Sequence, residues 1–227
     1  MFDHDLATGL SEAERDEYRL AERDISDLTK DAVRLMFEVR PPAVVCITTA
    51  ALLNSISADG IFCVRCPNPL LPFLFVDVPG ESTKSLSGSH SNSAEAEVCR
   101  QIVTSLLREN VSPALIAIIV FYKEQCRTLA YFASTSSVDL HTVDSVQGRE
   151  KNIVILLTTR TKFDPSRGEF LNDPHRLNVA LSRCRHGQFV LGHEKSLAGL
   201  SFWADILQWA NNRRAVTTAA ALPDLLE

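Results

Sequence analysis

Asn152-Ile153-Val154-Ile155-Leu156-Leu157-Thr158 is a continuous apolar, largely β-branched run, short enough for a strand buried on both faces of a sheet. It is entered from a polar turn, Val143-Asp144-Ser145-Val146-Gln147-Gly148-Arg149-Glu150, so charged and amide groups sit at a strand entrance. A glycine-containing loop then leads to Asn172-Asp173-Pro174-His175-Arg176-Leu177-Asn178-Val179-Ala180-Leu181-Ser182-Arg183-Cys184-Arg185. Asp173 caps a helix whose first residue is Pro174. Leu177, Ala180 and Leu181 form its buried stripe, and Arg176 and Arg183, about two turns apart, project from one face. Arginine's planar, permanently charged fork suits phosphate oxygens, although arginines on a helix can equally be a solvated face. Polar turn, buried strand and arginine-bearing helix together predict a phosphate-handling edge of an α/β sheet.

The same alternation extends outward. Strands are expected at 73–78, 115–120, 138–142, 152–158 and 188–192, and helices at 93–110, 122–133, 174–185 and 202–211, which calls for a parallel, three-layer sheet. Pro79 to Asn92 reads as a mobile Gly/Ser-rich loop, and the chain after Arg214 as a frayed tail. Trp203 and Trp209 read as packing groups. Upstream, residues 11–40 form a long charged helix ended by Pro41-Pro42, followed by a strand, Ala43 to Thr48, and an irregular stretch, 54–70.

Charge is unevenly placed. Residues 1–40 carry 11 Asp/Glu against 6 Lys/Arg, whereas Arg149 to His186 carries 8 Lys/Arg against 4 Asp/Glu. The net charge of -5 excludes a globally basic coat but leaves room for a local positive groove. No apolar window is long enough to span a membrane, and the acidic start lacks signal-peptide character, so an intracellular protein is expected. The 6 irregularly placed cysteines read as reduced thiols, and Cys63 and Cys66 lack the second pair a zinc site needs, so no metal site is expected.

Residues 143–151 (VDSVQGREK) and 170–185 (FLNDPHRLNVALSRCR), with the strand Gln188 to Gly192, resemble motifs V and VI of superfamily 1 helicases of the Upf-like and Sen-type branch. Ile116 to Gln125 resembles motif IV, with Phe121 where the family usually has proline. The resemblance covers about residues 71–212 and implies a RecA-like domain, the second of the two that make such a motor. It further implies that Arg183 is the arginine finger for ATP hydrolysis. Glu150 would hold the nucleotide ribose, Gly148 would let backbone approach the ligand, and Arg185 would be a second phosphate ligand or a structural partner, as would Arg176. Gln147 and Arg149 would link the nucleotide cleft to the strand groove. Tyr122, Asp144 and Ser145, with Thr48 upstream, would contact single-stranded RNA or DNA.

Several family elements are missing from the 227 residues. No G-x-x-x-x-G-K-[ST] loop is present, and Gly80-Glu81-Ser82-Thr83-Lys84-Ser85 has its glycine misplaced. No acidic strand end for Mg2+ is found, so ATP and Mg2+ are implied by the family while the loop and metal ligands are not in this sequence. The expected organisation is a helix and strand (1–53) that are either a remnant of a first RecA-like domain or an addition to the edge of the second, a connection (54–70), the RecA-like domain (71–212) and a tail (213–227), as if the chain were internally deleted. Two functions follow. One is an ATP-dependent RNA or DNA helicase domain; the other is a non-catalytic helicase-derived module that binds nucleic acid, or protein through the acidic N-terminal helix.

Overall fold

A computed structural model of the chain describes residues 71–146 and 150–226. The helix expected over 11–40, the strand expected at Ala43 to Thr48, the 54–70 connection and Gln147, Gly148 and Arg149 lie outside the described residues.

The described chain begins with β1 (Phe73–Asp77) and a two-residue hairpin, β2 (Thr83–Lys84) with β3 (His90–Ser91). Helix α1 (Ser93–Arg108) leads to β4 (Ile116–Val120), α2 (Lys123–Thr135), β5 (Asp139–Thr142) and β6 (Lys151–Leu157). Then come α3 (Pro174–Leu181), β7 (Cys184–Gly192), α4 (Glu194–Leu197), α5 (Ser201–Asn212), β8 (Val216–Thr218) and α6 (Leu222–Leu226). Six strands form one sheet in the order β5-β4-β6-β7-β1-β8, every pairing parallel.

Parallel strands need crossovers, and the crossovers cover both faces. Ile116, Ile118, Ile153, Ile155, Leu157, Phe189 and Leu191 pack with α1 and α2 on one side. Phe73, Phe75, Ile119, Val154, Leu156 and Val190 pack with α3 and α5 on the other. Trp203 is fully buried there and donates its indole N–H to the Leu171 carbonyl at 2.9 Å, as a packing group should. The architecture is the expected three-layer α/β/α, RecA-like sheet.

Helix ends obey local chemistry. The Asn92 carboxamide oxygen accepts from the N–H groups of Ala94 (3.0 Å) and Glu95 (3.2 Å) and starts α1. Helices α1, α2 and α5 each finish on a residue of positive φ, Asn110 (61°), Ser137 (56°) and Arg214 (54°). The next N–H in each case reaches back five residues, Val111 to Leu106, Val138 to Ala133 and Ala215 to Ala210. These are Schellman closures made without glycine, each sealed by a buried apolar residue.

Three expectations are corrected. Residues after Arg214 are not a frayed tail: β8 pairs with β1, and Leu222 is fully buried. The segment from Pro79 to Asn92 is not loop throughout but contains the β2/β3 hairpin, and, as expected, no helix directly follows Lys84. Helix α3 ends at Leu181, so Arg183 is past the helix and does not share a face with Arg176.

Candidate functional site

Strand register places the site residues on two opposite edges of the sheet. Val120 aligns with Thr142 and Leu157, Leu157 with Leu191, and Asp77 with Gly192, which defines the carboxyl edge. Tyr122 and Asp144 lie just beyond it. Lys151 aligns with Cys184 at the amino edge, where the Lys151 N–H donates to the Arg183 carbonyl at 2.9 Å. Helix α3 joins the two edges, and its 8 residues span about 12 Å.

At the carboxyl edge the residues form a chain of contacts. Tyr122 lies against Phe170, ring centroids 5.3 Å apart, and the Arg176 guanidinium sits 4.3 Å over Phe170. Arg176 in turn pairs with Asp144 at 3.1 Å and Asp173 at 3.0 Å. Asp173 also caps α3, accepting from the N–H groups of His175 (2.9 Å) and Arg176 (3.0 Å). The Arg176 backbone N–H, more than any other cause, holds the Asp173 carboxyl below its ordinary pKa. Ser145 closes the turn after β5: its hydroxyl accepts from the Thr142 N–H at 2.9 Å. Tyr122 is half-buried and its hydroxyl is enclosed with no partner at hydrogen-bond geometry; burial pushes its pKa up to about 12, against the opposing charge of Arg160. A phenol held this way stays neutral and serves as a ring surface or a hydrogen-bond donor.

The amino edge is differently charged. Arg185 pairs with Glu150 at 3.1 Å, both largely exposed. Arg183 is held by neutral groups: its Nε donates to the Val179 carbonyl at 3.0 Å and Nη2 to the Ser182 hydroxyl at 2.7 Å. It makes no ion pair among the described residues, so its charge is not neutralised locally. Beneath it, Cys184 is buried, and burial raises its thiol pKa to about 12, which excludes a thiolate at neutral pH.

The structure thus brings Tyr122, Asp144 and Ser145 together at one edge and Glu150, Arg183 and Arg185 at the other. It also shows residues that sequence reasoning missed. Glu95 is completely buried, and both its oxygens accept from the Thr159 N–H, at 3.0 and 2.8 Å. Burial raises its pKa to about 8, with the Thr159 hydrogen bond opposing. Arg160 lies 4.4 Å over the Phe163 ring, near Tyr122. An Asn-x-x-Glu pattern at 92–95 was the available signal, but in isolation it reads as a helix start.

An AAA domain family profile matches residues 46–195. The ATP-dependent helicase upf1 of Schizosaccharomyces pombe is 38% identical over 145 residues, covering 60% of this chain and 16% of that protein. The regulator of nonsense transcripts 1 of Dictyostelium discoideum is 35% identical over 160 residues, 66% of this chain and 12% of that protein. Helicase SEN1 of Saccharomyces cerevisiae is 31% identical over 166 residues, 67% of this chain and 7% of that protein. The chain therefore spans a small fraction of the length of the relatives it matches. With the parallel α/β/α sheet and the motif residues on its edges, it belongs to the AAA domain family as an Upf-like superfamily 1 helicase domain.

Proposed function

We propose that this domain supplies one wall of an ATP cleft and part of a strand groove in a motor that unwinds RNA or DNA. The observation that carries the reading is the contrast among three motif VI arginines. Arg176 and Arg185 are paired with carboxylates, and of the three Arg183 alone has no ion pair among the described residues, on a side chain fixed by neutral groups. Such a group fits a phosphoryl oxygen: a preorganised cation aimed at developing negative charge needs no rearrangement during reaction.

ATP with Mg2+, when bound, would supply the transferable phosphoryl group. This chain's residues fit only part of that ligand. Arg183 would supply positive charge to the γ-phosphate, Glu150 and Arg185 would contact ribose and phosphate, and Gln147 and Gly148 are candidates from the residues just upstream in sequence. No G-x-x-x-x-G-K-[ST] sequence exists to cradle the phosphates. Tyr122, Asp144 and Ser145 at the other edge are candidate strand contacts, and Arg149, outside the described residues, is a further candidate.

The missing phosphate loop favours a second reading, a binding module that holds single strands without hydrolysing ATP. ATP turnover by the full chain, with and without single-stranded RNA or DNA, separates them. No turnover with strand binding intact is expected of the chain alone. Strand-stimulated turnover that Arg183→Ala abolishes would eliminate the module reading and demand another phosphate site.

A further inference from the structure

The chain leaving β6 makes a costly turn at the carboxyl edge. Thr159 has φ of 73°, a strained value for a β-branched residue, and the Arg160 N–H donates across it to the Thr158 carbonyl at 2.8 Å. That pairing is the hydrogen bond of a left-handed γ-turn, a rare and strained form. Such strain persists only where the surroundings over-determine it.

Here they do so with buried polar groups from three elements. Both Glu95 oxygens hold the Thr159 N–H, and the Asn92 carboxamide N–H donates to the Thr159 carbonyl at 3.3 Å. Gln125 fixes Asn92 in turn, accepting from its N–H at 2.6 Å and donating to its carbonyl at 3.0 Å. Asn92, Glu95, Gln125 and Thr159 are all buried. Burying a carboxyl group is unfavourable, and what the arrangement achieves is to set the direction of the next side chain.

That side chain is Arg160. Its ring contact with Phe163 and the hydrogen bond from Nη1 to the Arg167 carbonyl at 2.5 Å fix the guanidinium. It forms no ion pair among the described residues, and it is close enough to lower the pKa values of both Tyr122 and His90. A fixed, half-buried, unpaired cation beside an aromatic ring combines a backbone-charge contact with a stacking surface. We propose that Arg160 is a further contact to the phosphate backbone of the bound strand, and that Glu95, acting through the Thr159 turn, is the residue that positions it. This rests on the strand-binding reading above.

The test is binding of a fluorescent single-stranded uridylate oligonucleotide to the full chain across a salt series. Arg160→Ala is expected to weaken binding roughly five- to tenfold and to reduce the salt slope by about 0.7, one phosphate contact. Arg160→Lys, which keeps the charge, restores the slope. Glu95→Ala, which leaves the Thr159 N–H without its acceptor, weakens binding in the wild-type background and adds nothing to Arg160→Ala, whereas Glu95→Gln, which keeps an acceptor oxygen, binds as the unmodified chain does. An unchanged slope in Arg160→Ala would overturn the phosphate contact. Equal losses from Glu95→Ala in both backgrounds, or a Glu95→Gln chain that binds as weakly as Glu95→Ala, would overturn the positioning role. If the unmodified chain binds no strand, the underlying reading falls as well, an outcome distinct from both.

Discussion

The two ends of α3 treat arginine in opposite ways. At its start, Arg176 is gripped by Asp144 and Asp173 and stacked on Phe170; just past its end, Arg183 is held by a carbonyl and a hydroxyl. The helix field accounts for the difference. Unpaired N–H groups make the first turn electropositive, so a cation there needs carboxylates, whereas the last carbonyls attract one. An arginine after the helix can therefore be fixed by neutral groups and keep its charge for a ligand. The same residue type is paired with carboxylates at one end and, under the proposed reading, reserved for a ligand at the other.

The largest effect that separates the two edges is a pH dependence from Glu95 at the carboxyl edge. Its folded pKa of about 8 lies above the ordinary 4.5. Between those values the unfolded chain ionises freely while the folded chain must keep the proton, so stability falls as pH rises from about 4.5 to about 8 and levels beyond. Urea denaturation over that range should show a loss on the order of a few kcal/mol, and Glu95→Gln should flatten the curve. A curve with the same slope in Glu95→Gln would assign the dependence to other groups.

Asp173→Ala removes the α3 cap and one partner of Arg176 together. It should destabilise by about 1–2 kcal/mol, read as a lower denaturation midpoint. Arg176→Ala loses two part-exposed ion pairs and the Phe170 stack, worth about 1 kcal/mol in the same measurement. At the far end, Arg183→Ala and Arg185→Ala should each change stability by less than about 0.5 kcal/mol. An Arg183→Ala loss as large as that of Arg176→Ala would erase the distinction between the two ends.

The sheet was legible because its strands are buried on both faces: runs such as Ile116 to Val120 and Ile153 to Leu157 have no other use in a chain of this composition. The start of α3 was legible too, since Asp173 and Pro174 form a local signal. Its end was not. Ser182, Arg183 and Cys184 contain nothing that stops a helix, and the change to strand at Cys184 comes from pairing with Lys151, which is 33 residues away (184 − 151). Glu95 was hidden for a related reason. Its partner Thr159 is 64 residues distant, and no local pattern records that contact. The charge compensation of Arg176 and Arg185 likewise depends on acids 32 and 35 residues upstream, Asp144 and Glu150, so motif spacing alone did not sort the arginines.

The central claim is that Arg183 is the charge reserved for the transferring phosphoryl group. Its most direct test replaces the matching domain of the Schizosaccharomyces pombe relative with residues 71–226 and measures strand-stimulated ATP turnover with Arg183 and with Arg183→Ala. The account predicts that turnover falls by about a hundredfold or more while strand affinity and thermal stability are unchanged. Turnover that survives Arg183→Ala, in a hybrid that hydrolyses ATP with Arg183 in place, would contradict it.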